Sequence, residues 1–143
     1  MSKKFAIREM LNKDLEDAFV LWRVSFNKGF SDHFDTREML ERYLIRNPGF
    51  SSVAYDEGGK LVGALLCGHD GRRGSIYHTA VIDEYRGNGI GKKMEERSLS
   101  KLKEIGIETG FLFINISNPG SREFWESIGW QLINDVRYLY KEF

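Results

Sequence analysis

Residues 86 to 93 of this chain, Arg86-Gly87-Asn88-Gly89-Ile90-Gly91-Lys92-Lys93, form the stretch best suited to chemistry. Three glycines at alternate positions let the backbone approach a ligand, and the free N–H groups at the start of a following helix suit a phosphate. Arg86, Lys92 and Lys93 bring positive charge to the same place. Two phosphate motifs fail on this stretch. A P-loop needs glycine at position 86 and Ser or Thr at 93, where the chain has Arg86 and Lys93. A dinucleotide fingerprint needs Gly or Ala at 92, which is Lys92, and a parallel βαβ start. What survives is R-x-x-G-x-G between a strand and a helix. A second pattern lies downstream, where Asn118 is followed by Ser121, Phe124-Trp125 and Gly129-Trp130.

These residues need a scaffold, and the periodicity predicts one. Phe5 to Met10 opens the chain as a short apolar segment. Asp14 reads as the N-cap of a helix carrying Leu15, Ala18, Phe19, Trp22 and Phe26. Thr36 caps a second helix with Met39, Leu40, Tyr43 and Leu44, and Asn47-Pro48 ends it. Three strands follow at 51–56, 61–68 and 75–82, joined by Glu57-Gly58-Gly59-Lys60 and by a loop containing Asp70-Gly71. The pattern turns helical from 89 to 105, with Ile90, Met94, Leu99 and Leu102 as apolar points. A buried strand over 110–116 precedes a short helix with Asn118 as N-cap and Pro119 at its first position. Two short strands, 131–133 and 136–140, complete the order βαα-βββ-α-β-α-ββ. The fold class is α/β, one domain over 1–143.

With both patterns placed, the sequence resembles the GCN5-related N-acetyltransferases, the GNAT family, in their small single-domain bacterial form. The likeness runs from the first strand to the last and is densest from Ser75 to Trp130. It implies a mixed, mostly antiparallel sheet flanked by helices, with a splayed central strand pair. Acetyl-coenzyme A is the implied cofactor. Its pyrophosphate would lie on Arg86, Gly87, Asn88, Gly89, Ile90, Gly91 and Lys92. Its pantetheine arm would pair with the backbone of Thr79, Ala80 and Val81, with the Val81 N–H polarising the thioester carbonyl. Asn118 would bond the same arm, with Ser121 nearby. The implied reaction is direct attack of a neutral amine on the thioester, through a tetrahedral intermediate, with departure of the thiolate. The acceptor site falls between the first two helices, at Phe26, Phe30, His33 and Phe34, with Asn27, Lys28 and Asp32 among them.

The chain departs from the family pattern at both usual proton carriers. Trp125 stands where many members have the tyrosine that protonates the leaving thiolate, and Phe113 where some have a glutamate base. An indole N–H donates a hydrogen bond but is no general acid. The loss weighs unequally on substrates: an α-amine is roughly 15% neutral at pH 7, a lysine amine about 0.04%. Either the acceptor has a low pKa or another residue takes the proton. Tyr77 and His78 on the central strand and Asp70 in the hairpin loop are the candidates. Strand alternation puts Tyr77 with Ser75 and Thr79, and His78 on the opposite side, so only one of the pair can face the thioester. Each also has an ordinary role open to it: packing for Tyr77 and His78, a turn for Asp70.

Composition bounds the rest. The 143 residues carry 21 basic and 21 acidic side chains, which argues against a general grip on nucleic acid or an anionic membrane. A chain of this size buries roughly two-thirds of its surface, enough for a core without disulfides or metals. The single cysteine, Cys67, sits in an apolar strand and reads as a core residue, as do Trp22 and Trp130. The first residues show no secretory signal, and no stretch is long enough to span a membrane, so the expected setting is cytoplasmic. Arg72 and Arg73 read as solvated turn residues. A homodimer through an edge at Val136–Tyr140 is a further expectation. The alternative from another class is a domain that binds acyl-coenzyme A as a sensor without efficient turnover. No metal is implied.

Overall fold

The computed structural model describes residues 3–26 and 30–143, so Asn27 and Lys28 lie outside the described residues. The chain divides into two compact units, 1–112 and 113–143.

The first unit is a five-stranded sheet in the order β1-β2-β3-β4-β5. Its strands are β1 (Phe5–Glu9), β2 (Ser52–Asp56), β3 (Leu61–His69), β4 (Gly74–Val81) and β5 (Gly110–Leu112). The first four pair antiparallel, and only β4 with β5 is parallel. A parallel neighbour needs a crossover, which the helix α3 (Ile90–Glu104) supplies. Leu61 to Gly68 are all buried, as a run that apolar predicts for a central strand.

Alternation along the strands sorts the two faces. Val53, Ala64 and Leu66 pack with Leu15, Ala18, Leu21 and Trp22 of α1 (Leu15–Phe26) and Leu40 of α2 (Arg37–Arg46). On the other face, a Cβ placed on Gly63 would stand 2.9 Å from Ile90 Cγ2 and 3.2 Å from Met94 Cε. Glycine at 63 thus lets the first turn of α3 lie against the sheet, which fixes where that helix begins. The buried stripe of α3 runs Ile90, Met94, Ser98 and Leu102. Leu99 is only half-buried, and Ser98 holds the core position through a 2.7 Å hydrogen bond between its Oγ and Ser52 Oγ. Thr36 caps α2 as predicted, its Oγ1 accepting from the Met39 N–H.

Asp14 does not cap α1. It ends a 3-10 turn, Asn12–Asp14, and its carboxylate turns back to accept the Leu11 N–H at 2.8 Å. Arg8 grips both oxygens at 2.8 Å, and the Tyr55 hydroxyl donates to Oδ1. Burial alone would push the Asp14 pKa up, but the bonds from Arg8, Tyr55 and Leu11 outweigh it and hold the group below the ordinary carboxylate value of 3.8. A carboxylate with a lowered folded pKa stabilises the fold above its unfolded pKa and stops doing so as pH falls through the folded one. Asp14→Asn should therefore cost about 2–4 kcal/mol at pH 7. The gap between variant and parent should narrow as pH drops below about 4. Urea titrations from pH 3 to 7 check this, and a pH-independent gap would contradict it.

The second unit holds α4 (Pro119–Ser127). Asn118 is its N-cap, with Oδ1 accepting from the Ser121 N–H at 3.3 Å, and Pro119 opens the helix as predicted. Trp125 is buried against Phe124 and Trp130, while Trp130 itself is half-buried rather than core. Three strand expectations need correction. The strand from Gly110 ends at Leu112, four residues short of Ile116, and residues 131–133 and 136–140 form no strand. The reason is exposure on both parities: Ile133, Val136, Tyr138 and Leu139 all stay in solvent, so no buried face selects a register. The edge expected to carry a homodimer at Val136–Tyr140 is accordingly not formed.

Candidate functional site

The site is built around a defect in β4. Its parallel pairing with β5 covers only Gly74 to Ile76, after which β4 runs on alone on that side to Val81. On the other side it stays paired with β3, but the register slips. Tyr77 pairs with Leu66 and Ala80 with Ala64, so His78 and Thr79 together oppose Leu65. This is a β-bulge, and its first residue, His78, has φ +51°. Histidine tolerates this left-handed conformation better than most side chains, though at some cost.

The bulge overturns the simple alternation expected here. Tyr77 and Ala80 both pack on the α1 and α2 side, and the His78 ring also reaches it, against Trp22 and Phe26 of α1. Tyr77 and His78 therefore share a face instead of opposing each other, and Ser75 and Thr79 no longer match. Beyond the bulge, the Ile82 N–H donates to Val62 O at 3.0 Å. In an antiparallel ladder the neighbouring residue then turns its N–H and C=O outward. Val81 presents both on the edge that β5 has left, and its carbonyl accepts from Arg86 Nε at 3.4 Å.

The loop that follows has the predicted form. Gly87 and Gly89 adopt φ of +80° and +82°, and Gly89 is the N-cap of α3 with no side chain capping it. The first intrahelical bond runs from Lys93 N–H to Gly89 O. The N–H groups of the first turn before Lys93 thus have no partner within the helix, the arrangement that favours an anion at the head of a 15-residue helix. Asn88 braces the loop, its Nδ2 donating to Tyr85 O at 3.0 Å and its Oδ1 accepting from Lys3 N. Arg86 is exposed and paired with Asp83 at 3.2 Å, and Lys92 and Lys93 are exposed.

The proton-carrier candidates separate clearly. His78 Nε2 lies 2.8 Å from Oδ1 of Asp35, a residue 3% exposed. Its ring stacks on Phe30 with centroids 5.4 Å apart, and its carbonyl accepts from Trp22 Nε1 at 2.6 Å. Tyr77 packs edge-on against Tyr43 and Phe111. Asp70 belongs to the turn: its Oδ1 accepts from the N–H groups of Arg72 and Arg73, bonds that hold its pKa below the ordinary carboxylate value. It lies beyond Gly74, at the opposite end of β4 from Val81, a run of about 23 Å at the usual rise per residue. Arg72 pairs with Asp70, and Arg73 lies over the Phe111 ring. Cys67 is buried, with its thiol pushed up to about 12 by loss of solvation, as fits a core residue.

Of the acceptor candidates, Phe26 and Phe30 converge on His78, while His33, Phe34 and Asp32 are exposed. Asp35 and the hydrogen-bonding role of Trp22 are what sequence reasoning missed. Asp35 directly precedes the Thr36 cap and shows no motif of its own. In the second unit, Asn118 uses its carbonyl oxygen as a cap, Phe113 is 61% exposed beside Tyr138, and Trp125 is buried.

Comparison with known proteins matches residues 10–130 to a family described as the acetyltransferase (GNAT) family. An acetyltransferase of Sodalis glossinidius is 30% identical over 94% of this chain and 93% of its own length. Among solved structures, an aminoglycoside acetyltransferase from an uncultured soil metagenomic sample, in complex with sisomicin, superposes with a TM-score of 0.78 at 24% identity, covering 97% of this chain and 96% of that one. An aminoglycoside N-acetyltransferase in complex with CoA gives 0.79 at 16% identity, covering 99% and 97%.

Proposed function

The chain belongs to the GNAT acetyltransferase family, and from that premise we propose that its acceptor is a small-molecule primary amine with a pKa nearer 8 than lysine's. The protein is an acetyl-coenzyme A-dependent N-acetyltransferase. The binding-only alternative has no support, since the matched family and relatives are acetyltransferases.

The observation that carries the donor half is the outward-facing backbone of Val81 on the edge that β5 vacates. A strand edge with an outward N–H, and a carbonyl held only by a 3.4 Å bond from the exposed Arg86 side chain, is a template for an extended amide-bearing chain, and pantetheine is one. Thr79 Oγ1, buried and without a hydrogen-bond partner among the described residues, is a second group that such a ligand could satisfy. In this reading Thr79, Ala80 and Val81 hold the pantetheine arm and Arg86 to Lys92 hold the pyrophosphate. Residues 1–143 then act as one acetyltransferase domain, a reading supported by the family match crossing both units. A reduced, cytoplasmic setting belongs to the same reading, supported by the single buried thiol of Cys67. No helix among the described residues is long and apolar enough to cross a membrane.

The acceptor half rests on what stands at the usual base and acid positions, an exposed phenylalanine and a buried tryptophan. Without a carboxylate base, an amine that is already partly neutral gains about two to three orders of magnitude over lysine at pH 7. The solved neighbour, an aminoglycoside acetyltransferase in complex with sisomicin, supports a small-molecule amine as the acceptor class here. The test is thiol release from acetyl-coenzyme A over amino sugars, polyamines, amino acids, N-terminal peptides and lysine peptides. Low-pKa small amines should exceed lysine peptides in kcat/KM by ~100-fold at pH 7. Lysine peptides as the best acceptors would refute the proposed class.

A further inference from the structure

We propose that His78 and Asp35 form the proton-accepting pair of acetyl transfer, with His78 Nδ1 as the base and Asp35 as the residue that positions it. The inference rests on the acetyltransferase reading above and names a group that reading leaves open. Two residues 43 positions apart meet at 2.8 Å, His78 Nε2 against Asp35 Oδ1, inside a wall of aromatic rings. Trp22, Phe26 and Phe30 place their centroids 5.4 to 5.5 Å from the imidazole. Asp35 is itself held, its Oδ2 accepting from the Ser31 N–H at 2.8 Å and its own N–H donating to Ser31 O.

A carboxylate only accepts, so this contact puts the imidazole hydrogen on Nε2 and leaves the Nδ1 lone pair free. Nδ1 makes no hydrogen bond among the described residues. The bulge decides where that lone pair sits. His78 immediately precedes Thr79 to Val81, the edge assigned to the thioester, and its ring leaves the strand on the side of α1 and Phe30. A packing histidine needs neither a left-handed backbone nor a buried carboxylate, and this one has both. Strained φ at a strand defect is characteristic of groups held for function.

The step balances without any further reagent. The amine nitrogen bonds to the acetyl carbon, the carbon–sulfur bond breaks with its electrons going to sulfur, and a nitrogen-bound proton passes to Nδ1. His78 returns the proton to solvent, and the thiolate takes one from solvent. Among the described residues, the charged or titratable groups around the ring come from α1, the segment before α2 and β4. Asp35 comes from the segment before α2, and Arg23 of α1 stands 5.5 Å from the Phe30 centroid. On β4 itself the neighbour is Tyr77, while β3 offers only Leu65 and Leu66 opposite the bulge.

Two variants test the pair. His78→Asn keeps a side chain that tolerates positive φ but cannot accept a proton, so the bulge can persist. Asp35→Asn keeps volume and one acceptor oxygen. With the best amine of the panel, kcat should fall ~100-fold or more in His78→Asn and ~10-fold in Asp35→Asn, while coenzyme A affinity stays within about threefold. Nitrogen-15 shifts of the His78 ring should report hydrogen on Nε2 in the parent and a mixture in Asp35→Asn. With only three histidines in the chain, His33→Gln and His69→Gln assign the signals. Retention of kcat within threefold by His78→Asn, or hydrogen on Nδ1 in the parent, overturns the pair alone. Thiol release by no amine with the parent, coenzyme A still binding, overturns the acetyltransferase reading and the pair with it.

Discussion

Gly89→Asp should weaken coenzyme A binding by about 100-fold while leaving the fold nearly as stable as before. Gly89 is the N-cap of α3 at φ +82°, and a Cβ added there would meet nothing within 4 Å. The substitution therefore clashes with nothing, and aspartate is among the few residues that accept a left-handed backbone. Its carboxylate would bond the open N–H groups of the first turn, a stabilisation of about 1 kcal/mol that roughly offsets the backbone strain. Those same N–H groups are the ones assigned to the pyrophosphate. Filling them removes about two charge-assisted hydrogen bonds and sets a like charge against the ligand, ~3 kcal/mol in all. Gly89→Ala separates the causes, because it carries the strain without the charge and should bind within about tenfold of the parent. Calorimetric titration with coenzyme A and thermal melting of both variants make the comparison. Undiminished binding by Gly89→Asp would place the pyrophosphate elsewhere.

That loop was legible in the sequence because its instructions are local. Gly87 and Gly89 sit within four residues of the helix they start, and their positive φ follows from the tight turn itself. The same holds for the Asn118-Pro119 cap and the Thr36 cap, where donor and acceptor are three residues apart. The other half of the site is written across long separations. His78 and Asp35 meet only because β4 slips its register against β3, and a period-2 reading of Tyr77 to Thr79 has no means of anticipating an extra residue. Asp14 shows the same limit. A polar residue before an apolar helix reads as a cap, yet its partners are Arg8 on β1 and Tyr55 on β2, brought together by sheet pairing. The strands expected beyond Gly129 failed for the complementary reason, since their apolar residues meet no surface that selects one face.

Trp22 is the residue through which core packing controls the site, and its replacement should do the most damage to stability. The side chain is fully buried among α1 and the sheet, and its Nε1–H is bonded at 2.6 Å to the carbonyl of His78. Trp22→Ala should cost about 3–5 kcal/mol, the usual range for emptying a buried aromatic site. Trp22→Phe is the sharper experiment, because it fills most of the volume and removes only the donor. The carbonyl it abandons lies at a bulge, where the ladder is already interrupted, and leaving it unpaired costs about 1–3 kcal/mol. Part of that cost is relieved if His78 gives up its left-handed conformation, and the imidazole then swings away from Asp35. Trp22→Phe is thus expected to lower kcat more than its small loss of stability explains, with coenzyme A affinity falling far less than kcat because the loop before α3 is untouched. Activity measured well below the melting point, beside urea unfolding of the same protein, separates the two effects. A variant that loses stability but keeps its rate would mean that the β3–β4 ladder holds the bulge unaided, and that α1 serves this site only as a wall.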